Sequence, residues 1–300
     1  MKQISKIFLL SVLAVFSLAS CGDDEVLSTT QTTSLDLSLT GLEDLGSDYA
    51  YEGWVIVDGA PVSTGVFNVD ANGTPTQLNF ELSQDNFDGA STFVLTIEPS
   101  PDPDPAPSKV HILAGDFDGD QAGLSVDHGA ALGNDFSSAT GNFILATPTD
   151  GGSDTDENSG VWWLDPSAGP GAGLNLPELP EGWAFEGWAV IDGKPLSTGT
   201  FTSVAGSDDF SGFSGTAGGP AFPGEDFLTN APDGLTFPVD LSDKTVVISI
   251  EPVPDNSAAP FRLKPLVAQV PTDALDHTVY TMNNNAEATN PFGMVSKKLK

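Results

Sequence analysis

The chain has 300 residues, and its 42 acidic side chains outnumber ten basic ones, which gives a formal net charge of −32. This charge excludes nucleic acid as a partner, because a surface so negative repels the phosphate backbone. A single cysteine excludes a disulfide framework and a zinc site made of thiolates.

The first 20 residues have the pattern of an export signal. Two lysines precede an apolar stretch at residues 7–18, which is too short to span a bilayer comfortably. The segment ends in the letters LASC, which resemble the bacterial lipobox, with the cysteine at position 21. We therefore predict a signal peptide at 1–20 and a lipid on Cys21, which would hold the chain at a membrane. The alternative is an ordinary secreted protein with a chance cysteine.

Residues 21–33 are predicted to be the lipidated cysteine and a flexible tether. The acidic letters GDDE at 22–25 are followed by a stretch rich in Ser, Thr and Gln, with little to bury. An acidic cluster directly after a lipidated cysteine resembles the surface-export signal of some outer-membrane lipoproteins. We expect a location in the cell envelope, lipid-anchored and at the outer membrane, on either its periplasmic or its surface face.

An internal repeat dominates the remainder of the chain. Residues 51–67 (YEGWVIVDGAPVSTGVF) and 185–201 (FEGWAVIDGKPLSTGTF) are identical at ten of 17 positions, at an offset of 134. Residues 92–99 (TFVLTIEP) match 245–252 (TVVISIEP) at an offset of 153. Three blocks occur in the same order, the third being a fainter match at an offset of 149 that includes Phe143 and Phe292.

These matches define a duplication. We predict a first repeat at 34–147, a linker at 148–159 and a second repeat at 160–297. The second repeat has about 19 additional residues (153 − 134), which fall in the Gly- and Phe-rich stretch 203–227 and have the composition of a loop.

Each repeat has the pattern of β structure. Phe93, Leu95 and Ile97 lie on one face, with Thr96 and Glu98 on the opposite face, and this period of two predicts a strand with one buried face. The dipeptide Asp58-Gly59 predicts a tight hairpin turn. No stretch after the signal peptide has a sustained helical period, so the sequence predicts an all-β protein with two tandem antiparallel β-sandwich domains.

Equivalent strands should bury equivalent side chains. We expect Trp54 and Trp188 at matching buried positions. Phe67 and Leu95 should lie beside the first tryptophan, with Phe201 and Ile248 beside the second.

Segments of the repeats resemble a known protein family. The letters YEGWVIVDG and PVSTGVF at 51–67, and the TIEP strand that leads into a Pro-rich loop at 99–107, are similar to the extracytoplasmic, C-terminal domain of anti-sigma-K factors. Both repeats carry these elements. The resemblance implies a β-sandwich fold.

The resemblance does not extend to regulation of a sigma factor. Anti-sigma factors hold their partner through a cytoplasmic helical domain, joined to the outer domain by a membrane-spanning helix. Here the stretch before the first repeat is predicted to be a signal peptide and a tether.

Catalysis is not expected. The sequence has no nucleophile elbow, no zinc-protease helix motif and no phosphate-binding loop. Trp162, Trp163 and Trp183 have no counterpart in the first repeat. They would either form an exposed binding platform or pack between the two repeats.

One acidic segment has the spacing of a calcium loop. Asp116, Asp118, Asp120 and Asp127 occupy its positions 1, 3, 5 and 12. Gln121 replaces the usual glycine, and a shorter aspartate stands at the last position. The sequence allows a calcium site here in the first repeat, or a solvated acidic loop.

Two functions follow from these patterns. The chain is either an envelope lipoprotein that acts as a binding or scaffold module for a partner protein or polymer, or an envelope sensor related to the outer domains of anti-sigma factors.

The lipid prediction is tested at one residue. Cys21→Ser should move the protein from the membrane fraction to the soluble fraction and block maturation of the precursor. An unchanged distribution between the fractions, measured by immunoblot, would contradict lipidation at Cys21.

Overall fold

The computed structural model of the chain describes residues 33–153 and 155–299. Most of their regular structure is extended strand. In chain order the strands are β1 (Thr33–Thr40), β2 (Tyr49–Val57), β3 (Ala60–Phe67), β4 (Asn79–Leu82), β5 (Ala90–Pro99), β6 (His111–Asp116), β7 (Gln121–Leu124), β8 (Thr140–Leu145), β9 (Gly160–Trp162), β10 (Leu164–Asp165), β11 (Gly171–Ala172), β12 (Leu174–Asn175), β13 (Trp183–Ile191), β14 (Lys194–Phe201), β15 (Gly224–Asp226), β16 (Thr245–Pro252), β17 (Leu266–Gln269), β18 (Tyr280–Thr281), β19 (Asn283–Asn284) and β20 (Phe292–Leu299).

Helix contributes little. Helix α1 (Gln84–Gly89) has six residues and α2 (Ala286–Thr289) has four, and a 3₁₀ turn lies at Glu157–Ser159. The all-β prediction is therefore confirmed. Within the described ranges, no helix has the length and apolar character needed to cross a membrane.

Each repeat builds one antiparallel sheet from its matching segments. The first sheet has the order β3-β2-β5-β6, and the second has the order β14-β13-β16-β17-β19. The hairpin at Asp58-Gly59 joins β2 to β3, and both residues have positive φ (51° and 79°). The second repeat has the same turn at Asp192-Gly193, with φ of 51° and 78°. Two left-handed residues fit the right-handed twist of the strands, which explains the choice of Asp-Gly.

The sheets that face these two contain strands from both repeats. β20, the last strand of the second repeat, lies between β1 and β7 of the first in the order β4-β1-β20-β7. β8, the last strand of the first repeat, pairs with β9, β12 and β18 of the second. Each repeat thus gives its final strand to the other.

This exchange corrects the expectation of two separately closed sandwiches. The buried side chains of both repeats form one continuous core, which includes Leu35, Tyr51, Phe143 and Ile248. The described residues after position 32 accordingly cluster into one compact unit. The physical reason is that neither repeat can complete its second layer from its own strands.

The prediction for the tryptophans is half correct. Trp54 and Trp188 are both buried and oppose equivalent residues, Val94 and Val247, on the neighbouring strand. However, Leu95 belongs to the main core, whereas Trp54 packs with Val94 in a separate cluster on the other face of the sheet. Neighbouring residues of a strand point to opposite faces, so a tryptophan opposite Val94 cannot lie beside Leu95.

The shared core predicts a single unfolding transition. Trp54→Ala should cost about 3–5 kcal/mol, and both repeats should unfold together at the lowered midpoint. Val66→Ala, at an exposed position of β3, is the matched control and should change the midpoint little. Calorimetry measures the number of transitions. Two separate transitions in the Trp54→Ala variant, with the second repeat unfolding at its original temperature, would contradict a shared core.

Candidate binding cleft between the repeats

Each repeat sheet carries one tryptophan on the face that points away from the main core. The indole nitrogen of Trp54 donates a hydrogen bond to Thr96 Oγ1 at 2.9 Å. In the second repeat, Trp188 Nε1 donates to Ser249 Oγ at 2.7 Å. Both indoles are therefore fixed by a hydroxyl on the adjacent strand, and the two faces correspond residue by residue.

Two glutamates lie on the same face of each sheet, and all four are buried. Ser63 donates a hydrogen bond to Glu52, and Thr96 donates to Glu98. In the second repeat, Ser197 donates to Glu186 and Ser249 donates to Glu251. The duplication has therefore kept a pair of buried acids together with their hydroxyl partners.

The loop after each TIEP-type strand folds back over its glutamate. In the first repeat, the amide of Ser108 donates to both carboxylate oxygens of Glu98, at 2.9 and 3.1 Å. In the second, the amide of Phe261 donates to Glu251 Oε1 alone, at 2.8 Å. Glu251 therefore has one oxygen that the loop amide does not reach, whereas both oxygens of Glu98 are reached.

The acids of the second repeat are also close together. One carboxylate oxygen from each of Glu186, Glu251 and Asp255 lies within 4.8 Å of the others. Burial, opposed by the hydrogen bond from Ser249, raises the pKa of Glu251 to about 8, and the charges of the other two acids contribute. Burial likewise raises the pKa of Glu186 to about 7. Both carboxyl groups therefore keep their protons to a higher pH than an ordinary glutamate does.

A cavity of about 560 Å³ opens beside this cluster, at the junction of the two repeats. Its apolar lining comes from both of them and includes Leu45, Ile97, Val110, Val253 and Phe261. The ends of β5 and β16, at Pro99 and Pro252, stand on its wall. We call this cavity the inter-repeat cleft.

Charged side chains surround the inter-repeat cleft. Glu43, Asp44, Glu181 and Asp255 line it, and Lys109 forms an ion pair with Glu181 across the two repeats. Burial raises the pKa of Glu43 to about 7, against the lowering effect of a hydrogen bond from the Arg262 amide. The rim is acidic overall, because four carboxylates face one lysine.

The predicted site residues that the structure describes do not line the inter-repeat cleft. Cys21 lies outside the described residues. Asp116 accepts a hydrogen bond from Thr92 and lies 3.5 Å from His128 Nε2. Asp127 accepts a hydrogen bond from the Ser125 hydroxyl. Within the described ranges, the aspartates of the predicted calcium loop do not converge as Glu186, Glu251 and Asp255 do. Calcium at Asp116, Asp118, Asp120 and Asp127 stays a prediction.

The tryptophans Trp162, Trp163 and Trp183 are all buried, so they do not form an exposed platform. Trp163 packs against Gly187, where a β-carbon would come within 2.4 Å of its ring. Trp183 lies 6.1 Å from the ring of Phe261. Trp163 and Trp183 belong to the main core, whereas Trp162 packs with Ile144 and Leu164 in a separate cluster.

Sequence reasoning missed the residues of the cleft and its acidic wall. A signal was present, since Glu52 and Glu98 recur as Glu186 and Glu251 within the repeated blocks. Glutamate is rarely buried without a partner, so acids at strand positions were expected on the solvent face.

A further pair of buried acids joins the linker to the long insertion of the second repeat. Asp226 accepts hydrogen bonds from the Thr149 amide at 2.8 Å and from Trp162 Nε1 at 2.7 Å. Its neighbour Glu225 is 0% exposed, and its Oε2 has no hydrogen-bond partner. Burial raises the pKa of Glu225 to about 7, and the charges of Asp208 and Asp226 add to the shift.

These acids predict how stability depends on pH. A carboxyl group whose pKa is raised by folding stabilises the fold below its ordinary pKa, near 4.5, and loses that contribution as the pH rises through about 7. The free energy of unfolding should therefore fall between pH 5 and pH 8, by up to about 1.4 kcal/mol per pH unit for each proton released. Glu225→Gln should make this decline shallower.

Urea titrations across this pH range measure the effect. Glu287→Gln, at an exposed acid of α2, is the control and should leave the wild-type profile unchanged. If the free energy of unfolding of Glu225→Gln fell with pH as steeply as that of the wild type, Glu225 would not contribute to the pH dependence of stability.

Comparison with family models finds a match over part of this chain. A family model described as anti-sigma-K factor rskA, C-terminal, matches residues 23–110. No curated protein and no solved structure matches the chain. The matched range contains the YEGW and TIEP segments and ends at Val110, on the wall of the inter-repeat cleft. Over residues 23–110, the chain is therefore similar to the C-terminal domain of anti-sigma-K factors.

Proposed function

We propose that the chain is a non-catalytic binding module of the cell envelope, which uses the inter-repeat cleft to hold a segment of a partner protein. The observation that carries this proposal is the composition of the cleft. Its apolar wall is formed by both repeats, and its rim carries fixed charges. A concave apolar site with a few charged groups is the usual form of a binding site.

The chemistry of the cleft suggests one kind of occupant. Leu45, Ile97 and Phe261 would take apolar side chains. The rim acids, together with a net charge of −32, favour a cationic ligand. The proposed occupant is therefore a short peptide segment in which apolar residues alternate with lysine or arginine.

Anchoring is part of the proposal. A lipid on Cys21 would hold the module at the outer membrane, on its periplasmic or its surface face. The support is the lipobox-like sequence and the acidic residues that follow it.

A second function is favoured by the match at residues 23–110. An envelope sensor would use the same cleft to detect a partner and would pass the signal to another envelope protein. Crosslinking in cells separates the two functions. Capture of a membrane-spanning regulator of a sigma factor supports the sensor, and capture of an envelope protein or polymer without such a role supports the binding module.

Binding is tested with a defined probe. A fluorescent peptide of alternating leucine and lysine should bind the full chain more tightly than a peptide with glutamate in place of lysine. Val253→Lys removes an apolar contact on the wall of the cleft and places a positive charge there, so it should weaken binding of the lysine peptide at least about tenfold. Fluorescence anisotropy gives both dissociation constants.

The matched control is Leu275→Lys. Leu275 is also an exposed apolar residue, but it does not line the inter-repeat cleft. This variant should bind the lysine peptide as the wild type does. Equal binding of both peptides, or equal loss in both variants, would show that attraction to the peptide does not occur in the cleft.

A further inference from the structure

The acidic wall of the second repeat is built from adjacent strands and the loop that follows them. Glu186 lies on β13, and Glu251 lies on the neighbouring strand β16. Asp255 follows four residues later and is exposed at the cleft. Strand pairing fixes the backbones of both glutamates, and Asp255 joins them from the loop after β16.

Two of these carboxylates are buried with one oxygen free. Glu186 is 4% exposed and Glu251 is 1% exposed, and the Oε2 atom of each has no hydrogen-bond partner. A buried carboxylate oxygen without a partner is costly, because burial removes the water that would solvate its charge. Near neutral pH a proton relieves this cost, and for the ionised pair a bound cation would relieve it.

Basic side chains do not neutralise the pair directly. None of the ion pairs among the described residues includes Glu186 or Glu251. The half-buried Lys264 is the nearby cation, and Glu43 attracts it more strongly than Glu251 does. The charges that raise the pKa values of the two glutamates come from acids, among them Asp209 and Asp255.

We propose that Glu186, Glu251 and Asp255 bind a hard divalent cation of the calcium type. Three carboxylates offer oxygen ligands alone, which calcium and magnesium prefer. Oxygens within 4.8 Å of one another can surround one calcium ion, whose ligands lie about 2.3–2.6 Å from the metal. Exposed Asp255 gives a route from the cleft, and water completes the coordination. This inference does not depend on peptide binding.

The first repeat provides an internal comparison. Its equivalent acids are Glu52, Glu98 and Asp102, at the offsets of 134 and 153. Both oxygens of Glu98 accept a hydrogen bond from Ser108, and the trio is not close enough to share an ion. The cation site is therefore specific to the second repeat.

Calcium binding is measured on the full chain in detergent. Terbium, which replaces calcium, should give luminescence excited through tryptophan, because Trp188 is linked to Glu251 through Ser249. Calcium should displace it and should raise the melting temperature by at least about 5 °C at a hundredfold excess over Kd. Magnesium in place of calcium tests the choice of ion, and potassium chloride of equal ionic strength controls for screening.

The variants locate the site. Asp255→Asn changes an exposed side chain without disturbing the core, and it should weaken calcium binding at least about tenfold by removing one of three charged ligands. Glu251→Gln should do the same, whereas Glu98→Gln should bind calcium like the wild type. Absence of terbium luminescence and of any calcium-dependent shift at millimolar calcium, or equal binding in Asp255→Asn, would overturn the proposal. A stronger response to magnesium would overturn the assignment to calcium.

Discussion

The pairing of each repeat's last strand with the other repeat is the constraint on which the rest of the structure depends. A β-sheet layer needs partners for its backbone hydrogen bonds and a second layer to bury its apolar face. Here β20 supplies these to the first repeat, and β8 supplies them to the second. The exchange holds the two repeat sheets in one core, and it brings the ends of β5 and β16 to the same cleft.

The two repeats have the same strand framework, but their buried glutamates differ in how many hydrogen bonds they accept. The tryptophan, its hydroxyl partner and the paired glutamates occur in both. The difference lies in the loop after the TIEP-type strand, where the Ser108 amide satisfies both oxygens of Glu98 but the equivalent Phe261 amide reaches one oxygen of Glu251. Glu98 therefore has both oxygens hydrogen-bonded, whereas Glu251 has one oxygen without a partner, on the same strand framework.

Sequence patterns predicted the local features well and the long-range ones poorly. Alternation in residues 92–99 and the Asp58-Gly59 dipeptide identified strands and a turn, because these depend on neighbouring residues. Nothing local in β8 or β20 specifies a partner, so the sequence could not reveal the exchange. The repeat alignment shows that Trp54 and Trp188 occupy equivalent positions, but it does not show which face of the sheet they point to. The prediction therefore placed Trp54 on the wrong face. The buried acids escaped detection because their stabilising hydroxyls and amides come from distant strands and loops.

The exchange also determines the order in which the protein can fold. Thr33 pairs with Leu299, so the sheet that begins at the first described residue closes only after almost the whole chain has been made. Contacts so distant in sequence carry a large loop-closure cost and slow the search for the native state. The first layer of the fold therefore stays incomplete until the last strand is in place.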